Sequence, residues 1–150
     1  MKKYHAIPAE DHVTAAELRR HIAEAEAEKV HRHQAEARRQ AMRAEAHRNA
    51  FMAHDFSDDD RQEISRRMRT AIHAGKFEVE VVVFPASYLT DGGRAINNDD
   101  PAWTETLTGY ARSCFEAYVD LAKSDGYRFL ARVLNYPKGR LGDVGLYLAW

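Results

Sequence analysis

The feature that most constrains this chain is a run from Thr14 to about residue 54 that contains neither glycine nor proline. The run is rich in alanine, glutamate, arginine, glutamine and methionine, which favour the α-helix. Thr14 and Glu17 form a Thr-x-x-Glu capping box, which predicts where the helix begins. A helix of about 40 residues is about 60 Å long. Since no core that the remaining residues could build is that wide, we expect much of the helix to lie in solvent or against another chain.

A line of apolar residues follows this helix at seven-residue spacing, and its members are candidates for a helix interface: Ala16, Ala23, Val30, Ala37, Ala44 and Phe51. The line three residues further on is polar and the line four residues further on is mixed, so the two-residue apolar seam of an ordinary coiled coil is absent. A single narrow line of alanines suits close packing against one partner helix. The alternative is an exposed single helix stabilised by its own salt bridges.

Composition changes sharply after residue 56. Seven of the eight histidines lie in residues 1–54, whereas residues 77–150 contain both tryptophans and six of the seven tyrosines. The sequence therefore predicts two parts. Residues 1–56 form an extended, charged, alanine-rich helix that serves as an oligomerisation or docking arm, and residues 57–150 form a compact α+β domain.

Two helices are predicted in the second part. Ser57 followed by three aspartates is typical of an N-cap with acids in the first turn. The helix it begins places its apolar residues on one face and ends near Gly75: Ile64, Met68, Ala71 and Ile72. Asp100-Pro101 predicts the start of the other helix. Its core face keeps the 3.6-residue period: Trp103, Leu107, Tyr110, Ala111, Cys114, Phe115, Tyr118, Leu121 and Ala122.

Three strands are predicted around these helices. In the first, over residues 77–84, Phe77, Val79, Val81 and Val83 are expected to be buried, because they alternate with glutamates. The second covers residues 127–135 and the third residues 144–150, joined as a hairpin. Arg128 and Arg132 could face Glu78 and Glu80, which predicts that the first two strands are neighbours. The expected fold is α+β, with a long N-terminal helix followed by a helix–strand–helix–strand–strand domain whose three-stranded sheet packs on two helices.

The loop at residues 90–100 is a candidate site for a small ligand or an anion. It joins a strand to a helix, and its polar side chains could orient a ligand: Asp91, Arg94, Asn97 and Asn98. No phosphate-loop pattern is present, and turn and capping roles explain the same residues equally well.

A basic stripe on the long helix is a candidate nucleic-acid surface: Lys29, Arg32, Arg39 and Arg43. These residues project within about 80° of one another on a regular helix. No aromatic residue interleaves with them, so base stacking is not available. A solvated face is the alternative.

Catalytic, metal and cofactor motifs are not found. Cys114 lies on the predicted core face, which indicates an inert thiol, and His31 and His33 point about 200° apart on a helix. The sequence therefore predicts no cofactor, no metal site and no catalytic residue, although an enzyme stays an open alternative.

The leading hypothesis is a non-enzymatic protein–protein interaction module that self-associates, or docks on a larger assembly, through its long helix. The alternatives are a nucleic-acid-associated protein using the basic stripe and a ligand-binding domain centred on residues 90–100. The 22 basic and 23 acidic residues nearly cancel, so no global field favours nucleic acid or membrane. A single cysteine and the lack of an apolar N-terminal run indicate a reducing, cytoplasmic location without a membrane segment.

Overall fold

Four α-helices and three β-strands organise residues 13–150, the part of the chain that the computed structural model describes. The helices are α1 (Ala15–Ala53), α2 (Asp58–His73), α3 (Arg94–Asn97) and α4 (Gly109–Leu121). The strands are β1 (Glu78–Pro85), β2 (Arg128–Val133) and β3 (Asp143–Ala149). This order confirms the predicted α+β fold.

Helix α1 begins at the predicted capping box. The Thr14 amide donates to Glu17 Oε2 at 2.8 Å, and the Glu17 amide donates to Thr14 Oγ1 at 3.2 Å. The contacts within the chain define two units, one ending at Ala46 and the other comprising His47–Trp150. The last turns of α1 therefore belong to the second unit.

Helix α2 also begins at a capping box. Ser57 Oγ accepts from the Asp60 amide at 3.3 Å, and Asp60 Oδ2 accepts from the Ser57 amide at 2.8 Å. The predicted core face is confirmed for Ala71, which is buried, and for Ile64 and Met68, which pack against the core. It is wrong for Ile72, whose side chain is 55% exposed, because the helix reaches its last turn there and no neighbouring element covers it.

The sheet is antiparallel in the order β1-β3-β2. The predicted hairpin of β2 and β3 is confirmed. The predicted pairing of β1 with β2 is wrong, because β3 lies between them. An arginine side chain is long enough to reach an acid two strands away, so the attraction of Arg132 for Glu78 did not require adjacent strands.

A bulge in β1 changes which residues face the core. Val79, Val82 and Phe84 lie opposite Leu148, Leu146 and Val144 of β3, and the register shifts between Glu80 and Val82. The extra residue turns the later part of the strand over. The predicted burial is therefore wrong for Val83, which is 37% exposed, and for Phe77, which precedes the strand and is 73% exposed.

The helix predicted from Asp100 onward is interrupted. Asp100 accepts a hydrogen bond from the Ala102 amide at 2.9 Å, as expected of a cap, but the turn it begins is a 3₁₀ helix over Pro101–Thr106. Helix α4 starts only at Gly109, whose φ is +50°. Leu121, at the end of α4, is 52% exposed rather than part of the core face.

The core lies between the sheet and helices α2 and α4. Its largest fully buried side chains come from β1, from the segment before α4 and from β3: Phe84, Leu107, Leu146 and Val144. Ala111 and Cys114 of α4 are also buried, and aromatic side chains including Trp103 and Phe129 surround them. Every large apolar residue that is buried in residues 13–150 belongs to the second unit.

Candidate functional site

The exposed surface of α1 over residues 15–46 is the first candidate site, because every residue in that range is exposed. Four large apolar side chains are more than half exposed there: Leu18 at 53%, Ile22 at 58%, Val30 at 55% and Met42 at 71%. Scattered apolar residues on a surface are ordinary. A continuous helix of this length in which every residue is exposed is unusual.

Short ion pairs stabilise this part of α1 locally. Arg20 lies 3.8 Å from Glu24, Arg32 lies 4.0 Å from Glu28, and Arg39 lies 3.3 Å from Glu36. Each such exposed pair contributes a few tenths of a kcal/mol at about 25 °C. Together with the alanine content, they allow residues 15–46 to stay helical without burial.

The predicted helix-interface line is split between the two units. Its first five members are exposed: Ala16, Ala23, Val30, Ala37 and Ala44. Phe51 is 8% exposed, and its ring centroid lies 5.0 Å from those of Phe84 and Tyr88. As part of the core of the second unit, Phe51 is not available as a contact for another chain, and this member of the predicted interface is withdrawn.

The predicted basic stripe is exposed along its whole length. Arg32 and Arg39 lie near Glu28 and Glu36, as described above, so acids of the same helix offset part of their charge. Lys29 and Arg43 form no ion pair within residues 13–150. The stripe remains a candidate nucleic-acid surface that the structure leaves untested.

The polar residues of the predicted ligand loop contact one another and the hairpin turn. The Asp91 carboxylate accepts from the amides of Gly93 at 2.9 Å and of Ala95 at 2.7 Å, so it caps α3. Asn97 Oδ1 accepts from the Tyr136 hydroxyl at 2.9 Å. Arg94 and Asn98 are exposed. These contacts give the loop a structural role, and ligand binding by Asp91, Arg94, Asn97 and Asn98 remains a prediction.

A cluster of side chains that the sequence analysis missed joins the segment after α1 to α2 and α4 in the second unit. His54 Nε2 lies 3.0 Å from Asp60 Oδ2, and the ring centroids of His54 and Tyr110 lie 4.4 Å apart. Burial alone would raise the pKa of Asp60, but hydrogen bonds from Ser57 outweigh it and hold that pKa below its usual value. Burial, and then proximity to Cys114, raise the pKa of Tyr110 well above its usual range. At neutral pH the cluster therefore contains the anionic carboxylate of Asp60 and the neutral hydroxyl of Tyr110.

Cys114 is buried, as predicted. Burial raises the pKa of its thiol to about 12, so the thiolate required of a nucleophile is absent at neutral pH. The thiol lines an apolar cleft of 240 Å³ between α2 and α4. The cleft walls include Ile64, Met68 and Tyr118, and its floor includes Phe129 of the sheet. Arg61 and Ser65 are polar residues that also line the cleft.

Residues 13–150 contain neither a cluster of metal-binding side chains nor a membrane-spanning helix. No group of three or more His, Cys, Asp or Glu side chains is close enough together to hold a metal ion. No helix in this part of the chain combines the length and the apolar composition needed to cross a membrane. Comparison of the chain with protein families, with curated proteins and with solved structures finds no match.

Proposed function

We propose that this protein is a non-enzymatic interaction module in which residues 15–46 of α1 are the docking arm for another protein chain. The observation that carries the proposal is that this long helix is exposed at every position while it displays Leu18, Ile22, Val30 and Met42. Contact with another chain would remove from water those of these side chains that face it, which is favourable. All residues of the core cluster belong to the second unit, and none lies in residues 15–46.

Solution mass and amide hydrogen exchange test the proposal together. A docked helix has amides in residues 15–46 that exchange more slowly as protein concentration rises, whereas an isolated exposed helix exchanges rapidly at every concentration. Light scattering at low and high salt gives the mass, and the ratio of absorbance at 260 and 280 nm reports bound nucleic acid. An oligomer made of protein alone, without the absorbance of nucleic acid and with protected arm amides, supports the proposal.

Photocrosslinking covers the case in which the partner is a different protein. Benzoylphenylalanine at position 30 or 42 should give covalent adducts in cells that express the protein. The same group at Ser124, an exposed residue of the second unit, is the matched control and should give none. A monomeric mass, labile arm amides and no adduct at either arm position would together overturn the proposal.

A second candidate function is association with nucleic acid through the basic stripe. The observation that favours it is the charge of residues 29–46, which contain five basic and two acidic residues. Binding to phosphates should fall steeply with salt. Joint substitution Arg32→Gln, Arg39→Gln and Arg43→Gln should reduce both the affinity and its salt dependence. Unchanged binding in the triple variant would rule this function out.

A further inference from the structure

The docking arm has opposite net charge in its two halves. Residues 15–28 contain four acidic and two basic residues, a net charge of −2, and residues 29–46 contain five basic and two acidic residues, a net charge of +3. All of these side chains are exposed. The charge difference lies along the helix axis. Two paired copies of the arm can therefore have their acidic-to-basic directions either parallel or antiparallel.

Relative orientation decides whether two copies attract each other. Packed helices lie about 8–10 Å apart, which is about one Debye length at physiological salt. A parallel pair places acidic half against acidic half and basic half against basic half. An antiparallel pair places each acidic half against a basic half. We propose that the partner of the docking arm is a second copy of this chain, paired antiparallel through residues 15–46. This inference rests on the proposed function, since it names the partner and its direction.

Two charged residues beside the interface line make the inference specific. Glu24 and Arg38 follow Ala23 and Ala37 directly, so they flank the line on the same side, two heptads apart. Antiparallel pairing brings Glu24 of each copy to Arg38 of the other, and two-fold symmetry forms this contact twice. Arg38 forms no ion pair within residues 13–150, and the contacts of Glu24 with Arg20 and His21 are long, at 3.8 and 3.7 Å. Both groups are thus available to a second copy.

The length of the arm is sufficient for such a pair. Residues 15–46 extend over about 48 Å, and a helix with its side chains is about 10 Å wide, so each copy offers a footprint of about 500 Å². Two copies then approach the roughly 1,000 Å² that a specific interface requires. Small residues at Ala23, Ala37, Ala41 and Ala44 allow the backbones to come close. Much of the affinity must come from charge, so the pairing is expected to weaken as salt increases.

Charge reversal in the full-length protein tests the contact. Glu24→Lys and Arg38→Glu should each raise the dimer dissociation constant about tenfold, because each change affects both symmetric contacts. The double variant should return the constant to near its original value. Glu36→Lys makes the same change of charge on the opposite side of the helix and is the matched control, which should not weaken pairing. Failure of the double variant to recover would overturn the Glu24–Arg38 contact.

Cysteine crosslinking tests whether the two arms pair in parallel or antiparallel orientation. In a Cys114→Ala background, Ala23→Cys and Ala41→Cys are prepared as separate proteins and oxidised alone and mixed. An antiparallel pair crosslinks only in the mixture, whereas a parallel pair crosslinks in each protein alone. Crosslinks in each protein alone would overturn the inference and leave the proposed function standing. A monomer that still gives photocrosslinked adducts with another protein would do the same, and a monomer without adducts would overturn both.

Discussion

Arg132 and Glu78 form an ion pair across the full width of the sheet, although the strands that carry them are not neighbours. Arg132 Nη2 lies 2.6 Å from Glu78 Oε2, and the guanidinium lies 4.7 Å from the centre of the Tyr147 ring. Tyr147 belongs to β3, the strand between them, and the residue of β3 opposite Arg132 is Gly145. The side chain of Arg132 therefore crosses a strand position without a side chain and passes over an aromatic ring.

This ion pair predicts a pH-dependent contribution to stability. The hydrogen bond from Arg132 holds the pKa of Glu78 below its usual value, so the folded state binds fewer protons than the unfolded state as Glu78 titrates. The contribution is complete above the unfolded pKa of about 4.3 and is lost as pH falls through the lower folded pKa. Because both side chains are partly exposed, Glu78→Gln should cost about 0.5–1 kcal/mol at pH 7 and nothing near pH 2. Denaturant unfolding across this range measures the effect.

Glu80→Gln is the matched control for that experiment. Glu80 lies on the same strand and is exposed, and no side-chain ion pair of Glu80 occurs within residues 13–150. Its substitution should change stability by less than about 0.5 kcal/mol at any pH. An equal loss in both variants would show that the contribution of Glu78 does not come from Arg132.

The interruption before α4 predicts that substitution of Gly109 will reduce stability by an unusually large amount. A Cβ at Gly109 would lie 2.8 Å from Met52 Cα and 2.9 Å from the Phe51 carbonyl oxygen, and the residue has φ +50°. Gly109→Ala should therefore lower the free energy of unfolding by about 3 kcal/mol, through strain and displacement of backbone. Gly126→Ala separates these effects, since Gly126 also has positive φ but has nothing within 4 Å of the added Cβ. It should cost only about 1 kcal/mol. Equal losses would contradict the close packing at Gly109.

The capping box of α2 predicts a moderate loss of stability when the Ser57 hydroxyl is removed. Ser57→Ala removes the acceptor of the Asp60 amide and one of the hydrogen bonds that hold Asp60. The expected cost is about 1 kcal/mol. Ser124→Ala, at an exposed position near the end of α4, should be close to neutral, at less than about 0.5 kcal/mol. Thermal unfolding of the two variants beside the parent compares them directly, and a neutral Ser57→Ala would argue against the cap.

The division of α1 between two units predicts different outcomes for two truncations. A chain that begins at His47 keeps Phe51, which packs on Phe84 and Tyr88, and also the hydrogen bond between His47 and the Tyr88 hydroxyl at 2.7 Å. A chain that begins at Ser57, the domain boundary predicted from composition, loses both. The longer fragment should unfold cooperatively, and the shorter one should be less stable by about 3–5 kcal/mol, the cost of removing a buried phenylalanine. Equal stability would favour the boundary at residue 56.

Features with a local cause could be predicted from the sequence. The Thr14–Glu17 and Ser57–Asp60 boxes mark helix starts because all their partners lie within four residues. The apolar residues at every second position of residues 144–150 also identify β3, because this pattern depends only on neighbouring residues. The exposure of residues 15–46 was expected from the length of the helix, since about 60 Å exceeds the width of any core that the remaining residues could build.

Features that depend on distant residues could not be predicted. Val81, Val82 and Val83 are chemically identical, so nothing in the sequence locates the bulge that decides which of them face the core. The apolar residues from Trp103 onward keep a continuous 3.6-residue period in the sequence. The structure nevertheless interrupts the helix before Gly109. In the candidate site, Asp60 and Tyr110 are fifty residues apart, and only the packing of α2 on α4 brings them together. Phe51 follows the interface line in spacing, but the second unit covers it.

The strand order has a consequence for how the sheet forms during synthesis. Every hydrogen-bonded strand pair in residues 13–150 includes β3, which the ribosome produces after β1 and β2. At roughly 5–20 residues per second, several seconds pass between completion of β1 and completion of β3. Until β3 is made, neither β1 nor β2 has a strand partner within residues 13–150. No part of the sheet can therefore form before the last strand is complete, because β3 supplies the hydrogen-bonding partner of both other strands.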